Sequence, residues 1–488
     1  MSLPNPGADN PGLPAVRLIG LVLGPLLLLA TLLLPAPGDM GREAWLAAGM
    51  LLLMATWWST EAIAIPATAL LPIVLIPALG LGNITAATAP YANPIIFLFM
   101  GGFVLGLAMQ RWNLHRRIAL LTLLAVGSQP KRQIAGFMLA TAFLSMWVSN
   151  TATTIMMLPI ALSVLAMMTG EAPEAVGRFA TALLLAIAYA ASVGGIATLI
   201  GTPPNALLAA YLAQNQNLTI GFAQWMLIGV PVSVSMLVGI WFWLTRQDFG
   251  LQADPAFGGQ ALREQLRALG AMSRAEKQVA TVFVLTAGAW MIQPLLAASL
   301  LPWLNDTVIA VSAAVLLFLI PVDLRSRTFL MNWETAQGMP WGVLLLFGGG
   351  LALAGAIGSS GLAGWIADSL GALGVLPALV MIMLIVAVII FLTEVTSNTA
   401  TAAAFLPLLG ALAVAQNMSP LLFTIPAAIA ASCAFMMPVA TPPNAIVFGS
   451  GQVQIGDMMR AGFALNLFGI LVVTFAGYVL VGLIFAGV

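Results

Sequence analysis

The chain has 488 residues, of which 61% are hydrophobic and only 7% charged, with a mean hydropathy of +1.05. Soluble chains carry about a quarter charged residues, so a water-soluble fold is excluded. The formal net charge is zero, which offers no basic face to nucleic acid, and the single cysteine, Cys433, cannot form an intramolecular disulfide.

Met1 to Leu13 is rich in Pro, Gly and Asn and reads as a disordered tail. It shows no small-residue cleavage site, so the first span is expected to be retained. Apolar segments then fall at 17–36, 43–60, 62–80, 94–119, 133–148, 152–168, 179–199, 205–213 and 222–245. After a polar stretch they resume at 278–298, 306–322, 341–357, 376–393, 399–415, 421–438, 444–450 and 461–487. Crossing the hydrocarbon takes about 20 helical residues, and the short alternating strands of a barrel are absent. The fold class is therefore an all-α polytopic membrane protein. The segments 133–148 and 152–168 are separated by Ser-Asn-Thr, as are 376–393 and 399–415; 179–213 and 421–450 are interrupted by Thr-Pro-Pro-Asn.

Positive charge sets the threading. With a cytoplasmic amino terminus, each Ser-Asn-Thr pair a hairpin re-entering its own side, and each Pro-Pro segment one broken span, the chain makes eleven crossings and two re-entrant hairpins. Arg17, Arg111, Arg116, Arg117, Lys131, Arg132, Arg178, Arg246, Arg263, Arg267, Arg274, Lys277, Arg325, Arg327 and Arg460 then all lie on the cytoplasmic side. Only Arg42 of the 16 basic residues lies outside, as the positive-inside rule demands. The carboxyl terminus is expected outside. The expected organisation is a tail and first helix (1–42), a first repeat (43–245) with a hairpin at 131–168, a cytoplasmic connector (246–277), and a second repeat (278–488) with a hairpin at 375–415. In the connector, Leu262, Leu266 and Leu269 have the spacing of a short amphipathic surface helix.

The repeat is explicit. Ser149-Asn150-Thr151-Ala152-Thr153 recurs as Ser397-Asn398-Thr399-Ala400-Thr401, an offset of 398 − 150 = 248. Phe99, Gly101 and Gly102 match Phe347, Gly349 and Gly350 at the same offset, and Thr202-Pro203-Pro204-Asn205-Ala206 recurs as Thr441-Pro442-Pro443-Asn444-Ala445, at 441 − 202 = 239. Three blocks in one order indicate duplication. Five crossings per half is an odd number, so the second copy is inverted, an architecture of secondary transporters with the site at the repeat interface.

A Pro-Pro step removes two amide donors, which leaves the carbonyls of Gly201 and Ala440 free for a hard cation such as sodium. The Ser-Asn-Thr tips add hydroxyl and amide oxygens and begin helices whose amides attract anions. No Lys or Arg falls inside either expected tip, so a multiply charged anion needs partner cations and helix dipoles. Glu394, alone among carboxylates in a deep apolar run, either braces its hairpin or coordinates a cation. Glu61 reads as interfacial, as does His115. No His, Cys and carboxylate cluster has metal-ligand spacing. Nothing resembles a catalytic triad or nucleotide loop, so the chain is not read as an enzyme.

The doubled motif pair resembles that of the divalent anion/sodium symporter family, the bacterial relatives of animal sodium–dicarboxylate and sodium–citrate cotransporters, from about residue 43 onward. The resemblance implies an elevator-type, homodimeric inner-membrane symporter of C4-dicarboxylates such as succinate, malate and fumarate, or of related di- and tricarboxylates, coupled to sodium. It implies one sodium site of Ser145, Ser149, Asn150 and the Gly201 carbonyl, and a second of Thr393, the Thr396 backbone, Asn398 and the Ala440 carbonyl. Substrate carboxylates are implied to meet Asn150, Thr151, Asn398 and Thr399, with Thr202, Pro203, Thr441 and Pro442 lining the pocket. Sodium-independent exchange and sodium-coupled sulfate transport are the alternatives. Symport is favoured because no basic residue stands near the motifs while Ser145 and Thr393 are present.

Overall fold

A computed structural model describes residues 15–127, 129–168, 172–246, 249, 259–369 and 376–485. The expected tail, the first part of the connector and the carboxyl terminus lie outside these. The described chain is helical apart from a two-stranded antiparallel ribbon, Pro321–Asp323 with Thr328–Phe329. Among the described residues eight helices are long and apolar enough to cross a membrane, and further apolar helices are shorter.

Helix starts follow local chemistry. Proline occupies the first turn of Pro94–Arg111, Pro130–Ser145, Pro173–Ile196, Pro203–Asn215 and Pro442–Gly449, where the missing N–H costs nothing. Ser273 and Glu276 form a capping box at the head of Arg274–Ser299. Two expected segments are not single helices. The stretch 62–80 folds as Ile65–Thr68 and Leu71–Ala78, because Pro66 and Pro72 each open a new first turn. The stretch 94–119 breaks between Pro94–Arg111 and Leu114–Val126, where Asn113 takes a left-handed φ of 57°.

The first two helices, Ala15–Leu33 and Arg42–Thr60, pack antiparallel. At one end Arg17 pairs with Glu61 at 2.9 Å. At the other, Arg42, the basic residue expected outside, donates to the carbonyls of Thr31, Leu32 and Leu34. It thereby satisfies the open carbonyls of the first helix, whose dipole favours a cation there.

The connector helix Gly259–Ala268 packs on Leu114–Val126. Its anchor is Arg117, which pairs with Glu276 at 2.8 Å and donates to Gly270 O at 3.0 Å. The glycines of Phe347–Gly350 mark close approach: a β-carbon on Gly349 would lie 2.3 Å from Ala69 O, and one on Gly348 2.1 Å from the Tyr91 ring.

The centre of the fold is the interrupted helix Pro173–Ile196, 94% of whose most apolar stretch is buried, against 17% for the first helix. It packs on Pro130–Ser145, Asn150–Ala166, Phe222–Thr245 and Pro442–Gly449. The contacts between halves are reciprocal. Pro203–Asn215, beyond the first break, meets Asn398–Ala415; Pro442–Gly449, beyond the second break, meets Asn150–Ala166. Each half-helix after a Pro-Pro step therefore rests against the helix that begins at the other half's Ser-Asn-Thr.

Candidate functional site

Both Ser-Asn-Thr motifs sit at short turns between paired helices: Pro130–Ser145 with Asn150–Ala166, and Ala378–Thr393 with Asn398–Ala415. Ser149 caps its helix by accepting from Ala152 N at 3.3 Å, whereas Ser397 makes no such bond. Asn150, Thr151 and Asn398 are half-buried and Thr399 is buried.

In the first half, Ser145 Oγ lies 2.6 Å from Asn150 Oδ1 and 2.7 Å from Ala191 O. The Asn150 amide also faces Gly201 O: with its nitrogen turned inward it would donate to Ser145 Oγ at 2.6 Å, Ala191 O at 3.2 Å and Gly201 O at 3.3 Å. With Oδ1 turned inward, the cluster is four oxygens sharing one hydroxyl proton. The first orientation satisfies the amide; the second is the ligand set of a small hard cation, and one bond rotation separates them. Gly195 lines the same spot, since a β-carbon there would lie 2.8 Å from Asn150 Oδ1 and 2.9 Å from Gly201 O.

The second half repeats the arrangement. Thr393 Oγ1 lies 2.7 Å from Asn398 Oδ1 and 3.1 Å from Ala431 O. Thr393 and Ser145 differ by 393 − 145 = 248, the spacing of the Ser-Asn-Thr motifs. Thr396 turns its side chain into its own hairpin, toward Leu392 O at 2.9 Å and Thr401 Oγ1 at 2.6 Å. Ala440 is buried at the head of Pro442–Gly449, and among the described residues no hydrogen bond joins it to Asn398. The structure thus brings Ser145, Asn150 and Gly201 together, and Thr393 with Asn398. Among the described residues no hydrogen bond joins Ser149, Thr396 or Ala440 to those clusters.

The hydroxyls of Thr151 and Thr399 make no intramolecular hydrogen bond among the described residues. Their neighbours do: Thr154 donates to Asn150 O and Thr401 meets Thr396. Thr202 and Pro203, and Thr441 and Pro442, open the half-helices beyond the breaks. Thr202 and Thr441 are buried, while Pro442 is exposed.

Glu394 is fully engaged. Oε1 accepts from Phe435 N, Met436 N and Asn466 Nδ2 at 2.7–2.9 Å, and Oε2 from Met436 N and Met437 N at 3.0 Å. Four donors, with Met436 N shared between the two oxygens, fill the roughly four lone-pair directions of a carboxylate, so Glu394 braces the hairpin against the second break and has no oxygen left for a cation. Met146 stands at the equivalent place in the first half, 394 − 248 = 146. There Thr198 Oγ1 donates to Met146 O at 2.6 Å.

The carbonyls of Ala191 and Ala431 and the close approach at Gly195 were not legible in the sequence, because every residue carries a carbonyl and only the fold decides which ones turn inward. A cavity of about 590 Å³ lies elsewhere, lined by Glu174, Arg178, Arg246, Asp457 and Arg460 among others. None of the motif residues lines it. Among the described residues no group of His, Cys, Asp and Glu could hold a metal ion.

A family profile described as the sodium:sulfate symporter transmembrane region matches residues 15–485. The chain is 44% identical over 485 residues to a sodium-dependent dicarboxylate transporter, SdcS, of Staphylococcus saprophyticus, covering 97% of this chain and 93% of that one. It is likewise 44% identical to the protein of the same name in Staphylococcus aureus, covering 95% of this chain and 91% of that one. Among solved structures, the Neisseria gonorrhoeae protein MtrF matches with a TM-score of 0.58 at 14% identity, covering 96% of this chain and 95% of that one. The Alcanivorax borkumensis transporter YdaH matches with 0.58 at 15%, covering 97% and 99%. At such low identity these two likenesses speak to the fold alone.

Proposed function

The chain belongs to the family described as the sodium:sulfate symporter transmembrane region, and we propose that within it the protein is a sodium-coupled symporter of C4-dicarboxylates. It is a transporter and not an enzyme. The names of the relatives at 44% identity support both the ion and the substrate class. The observation that carries the residue assignment is the pair of oxygen clusters, Ser145 with Asn150 and Gly201, and Thr393 with Asn398, at one spacing in the two halves.

Sodium at the first cluster is held by Ser145, Ser149, Asn150 and the carbonyl of Gly201; at the second by Thr393, the Thr396 backbone, Asn398 and the carbonyl of Ala440. The substrate's two carboxylates meet the amides of Asn150 and Asn398 and the hydroxyls of Thr151 and Thr399. Thr202, Pro203, Thr441 and Pro442 wall the space between. Two sodium ions neutralise one dianion, which answers the lack of any Lys or Arg in either tip. The heads of Asn150–Ala166 and Asn398–Ala415 add two helix N-termini facing the anion.

The same reading supplies the threading. Eleven crossings and two re-entrant hairpins place the amino terminus in the cytoplasm and the carboxyl terminus outside. The halves 43–245 and 278–488 are inverted repeats, with hairpins at 131–168 and 375–415 and the connector 246–277 in the cytoplasm. A homodimer in the inner membrane, with the hairpins and broken helices moving as an elevator against the rest, completes the scheme.

The test is succinate uptake into proteoliposomes with an imposed inward sodium gradient and no internal substrate. Accumulation that stops when potassium replaces sodium is expected. Uptake that requires internal dicarboxylate and ignores sodium would establish exchange instead, and sulfate that outcompetes succinate would reassign the substrate.

A further inference from the structure

Asn205 and Asn444 close the two Thr-Pro-Pro-Asn motifs and take no part in the clusters described above. Both side chains are completely buried. The helix before each break ends with carbonyls that have no helical donor, and the two asparagines satisfy several of the carbonyls at and just beyond that end. Asn205 Nδ2 donates toward Gly195 O at 3.1 Å, Ile196 O at 3.3 Å and Thr198 O at 2.8 Å. Asn444 Nδ2 donates to Ala434 O at 3.3 Å and Met437 O at 3.0 Å. The acceptors correspond between halves, since 434 − 195, 437 − 198 and 444 − 205 all equal 239.

In each half the carbonyl assigned to sodium lies inside the turn that this amide closes. Gly201 falls between Thr198 and Asn205, and Ala440 between Met437 and Asn444. Each amide therefore ties the end of one half-helix to the head of the next, across the stretch that carries the ligand. The tie has a cost that recurs in both halves: Asn205 Oδ1 and Asn444 Oδ1 are buried without a hydrogen-bond partner. A buried acceptor without a donor is destabilising, so each amide is kept for the carbonyls it ties and not for the space it fills. Packing alone does not account for an asparagine at both places.

We propose that Asn205 and Asn444 are positioning residues for sodium, fixing the turns that present the Gly201 and Ala440 carbonyls and so setting the affinity of each site. The inference rests on the assignment of sodium to the two oxygen clusters. The two positions are unequal. The second break is also held by Glu394, which binds the amides of Phe435, Met436 and Met437. The first break has no carboxylate at that place, so Asn205 carries more of the task.

The experiment compares Asn205→Ala and Asn444→Ala with Ser145→Ala and Thr393→Ala in the purified full-length protein. Thermal stabilisation is titrated with sodium chloride replacing choline chloride at constant ionic strength, and sodium-dependent succinate uptake is measured in proteoliposomes. Loss of these hydrogen bonds is expected to raise the half-saturating sodium concentration about tenfold in Asn205→Ala and about threefold in Asn444→Ala. Lower melting temperatures in choline with an unchanged half-saturating sodium concentration mean a purely structural role and overturn the proposal. If Ser145→Ala and Thr393→Ala also leave sodium dependence unchanged, the cluster assignment falls with it. If they raise it and the asparagine variants do not, only the positioning role falls. Should an alanine variant fail to fold, Asn205→Ser and Asn444→Ser keep one donor each. A smaller rise in half-saturating sodium then supports the proposal, and a parental sodium curve overturns it.

Discussion

Gly195→Ala tests the proposed first sodium site with a single added methyl group. The new β-carbon would lie 2.8 Å from Asn150 Oδ1 and 2.9 Å from Gly201 O, whereas ordinary contact begins at 3.4 Å. The two oxygens must therefore retreat by 3.4 − 2.8 = 0.6 Å and 3.4 − 2.9 = 0.5 Å. Neither is the loose end of a long side chain: one is backbone, the other sits on a short amide beside the buried Ser145. Ligand positions tolerate errors of about 0.5 Å, so both shifts reach that limit. Overpacking of this kind costs about 1–3 kcal/mol. Borne by the sodium-bound state, that is roughly a five- to 150-fold loss of sodium affinity. The equivalent residue in the second half is Ala434 (434 − 195 = 239), so the second loop accommodates a β-carbon and the effect is specific to the first site. The assay is a sodium titration of thermal stability and of succinate uptake. A half-saturating sodium concentration within about twofold of the parent would falsify the placement of Gly195 against a sodium ligand set.

Ser145→Ala and Thr393→Ala should each raise half-saturating sodium more than they reduce uptake at saturating succinate; unchanged sodium dependence in both points to the exchanger. Thr151→Ala and Thr399→Ala each remove one hydrogen bond to a carboxylate, worth roughly 1.5–3 kcal/mol. Succinate affinity by calorimetry at saturating sodium should then fall similarly in both, by about ten- to over a hundred-fold, and parental affinity in both makes the tips structural caps. Glu394→Gln keeps the shape but weakens the bonds to Phe435, Met436 and Met437. Its melting temperature should fall in choline as much as in sodium, and a loss confined to sodium would make Glu394 a cation ligand after all.

The helices that carry the proposed site were legible because their signals are local. Pro-Pro steps open Pro203–Asn215 and Pro442–Gly449, and Ser-Asn-Thr opens Asn150–Ala166 and Asn398–Ala415; Phe222–Thr245 begins and ends where the apolar run does. The same locality explains the miss at 62–80, where apolarity suggested one span and Pro66 and Pro72 divide it into two short helices. Leu262 and its partners foretold the connector helix, but not that Arg117 and Glu276 would anchor it.

Sequence by itself determined the membrane class, the family and the presence of two copies of each motif, because composition and motifs are properties of the chain. Tertiary structure alone decided the rest. Glu394 was open between brace and ligand until the fold turned three consecutive amides and Asn466 toward it. The Ala191 and Ala431 carbonyls and the closeness of Gly195 to Gly201 depend on where helices cross. Backbone groups are identical at every residue, so no sequence pattern distinguishes the few that packing leaves free to bind an ion.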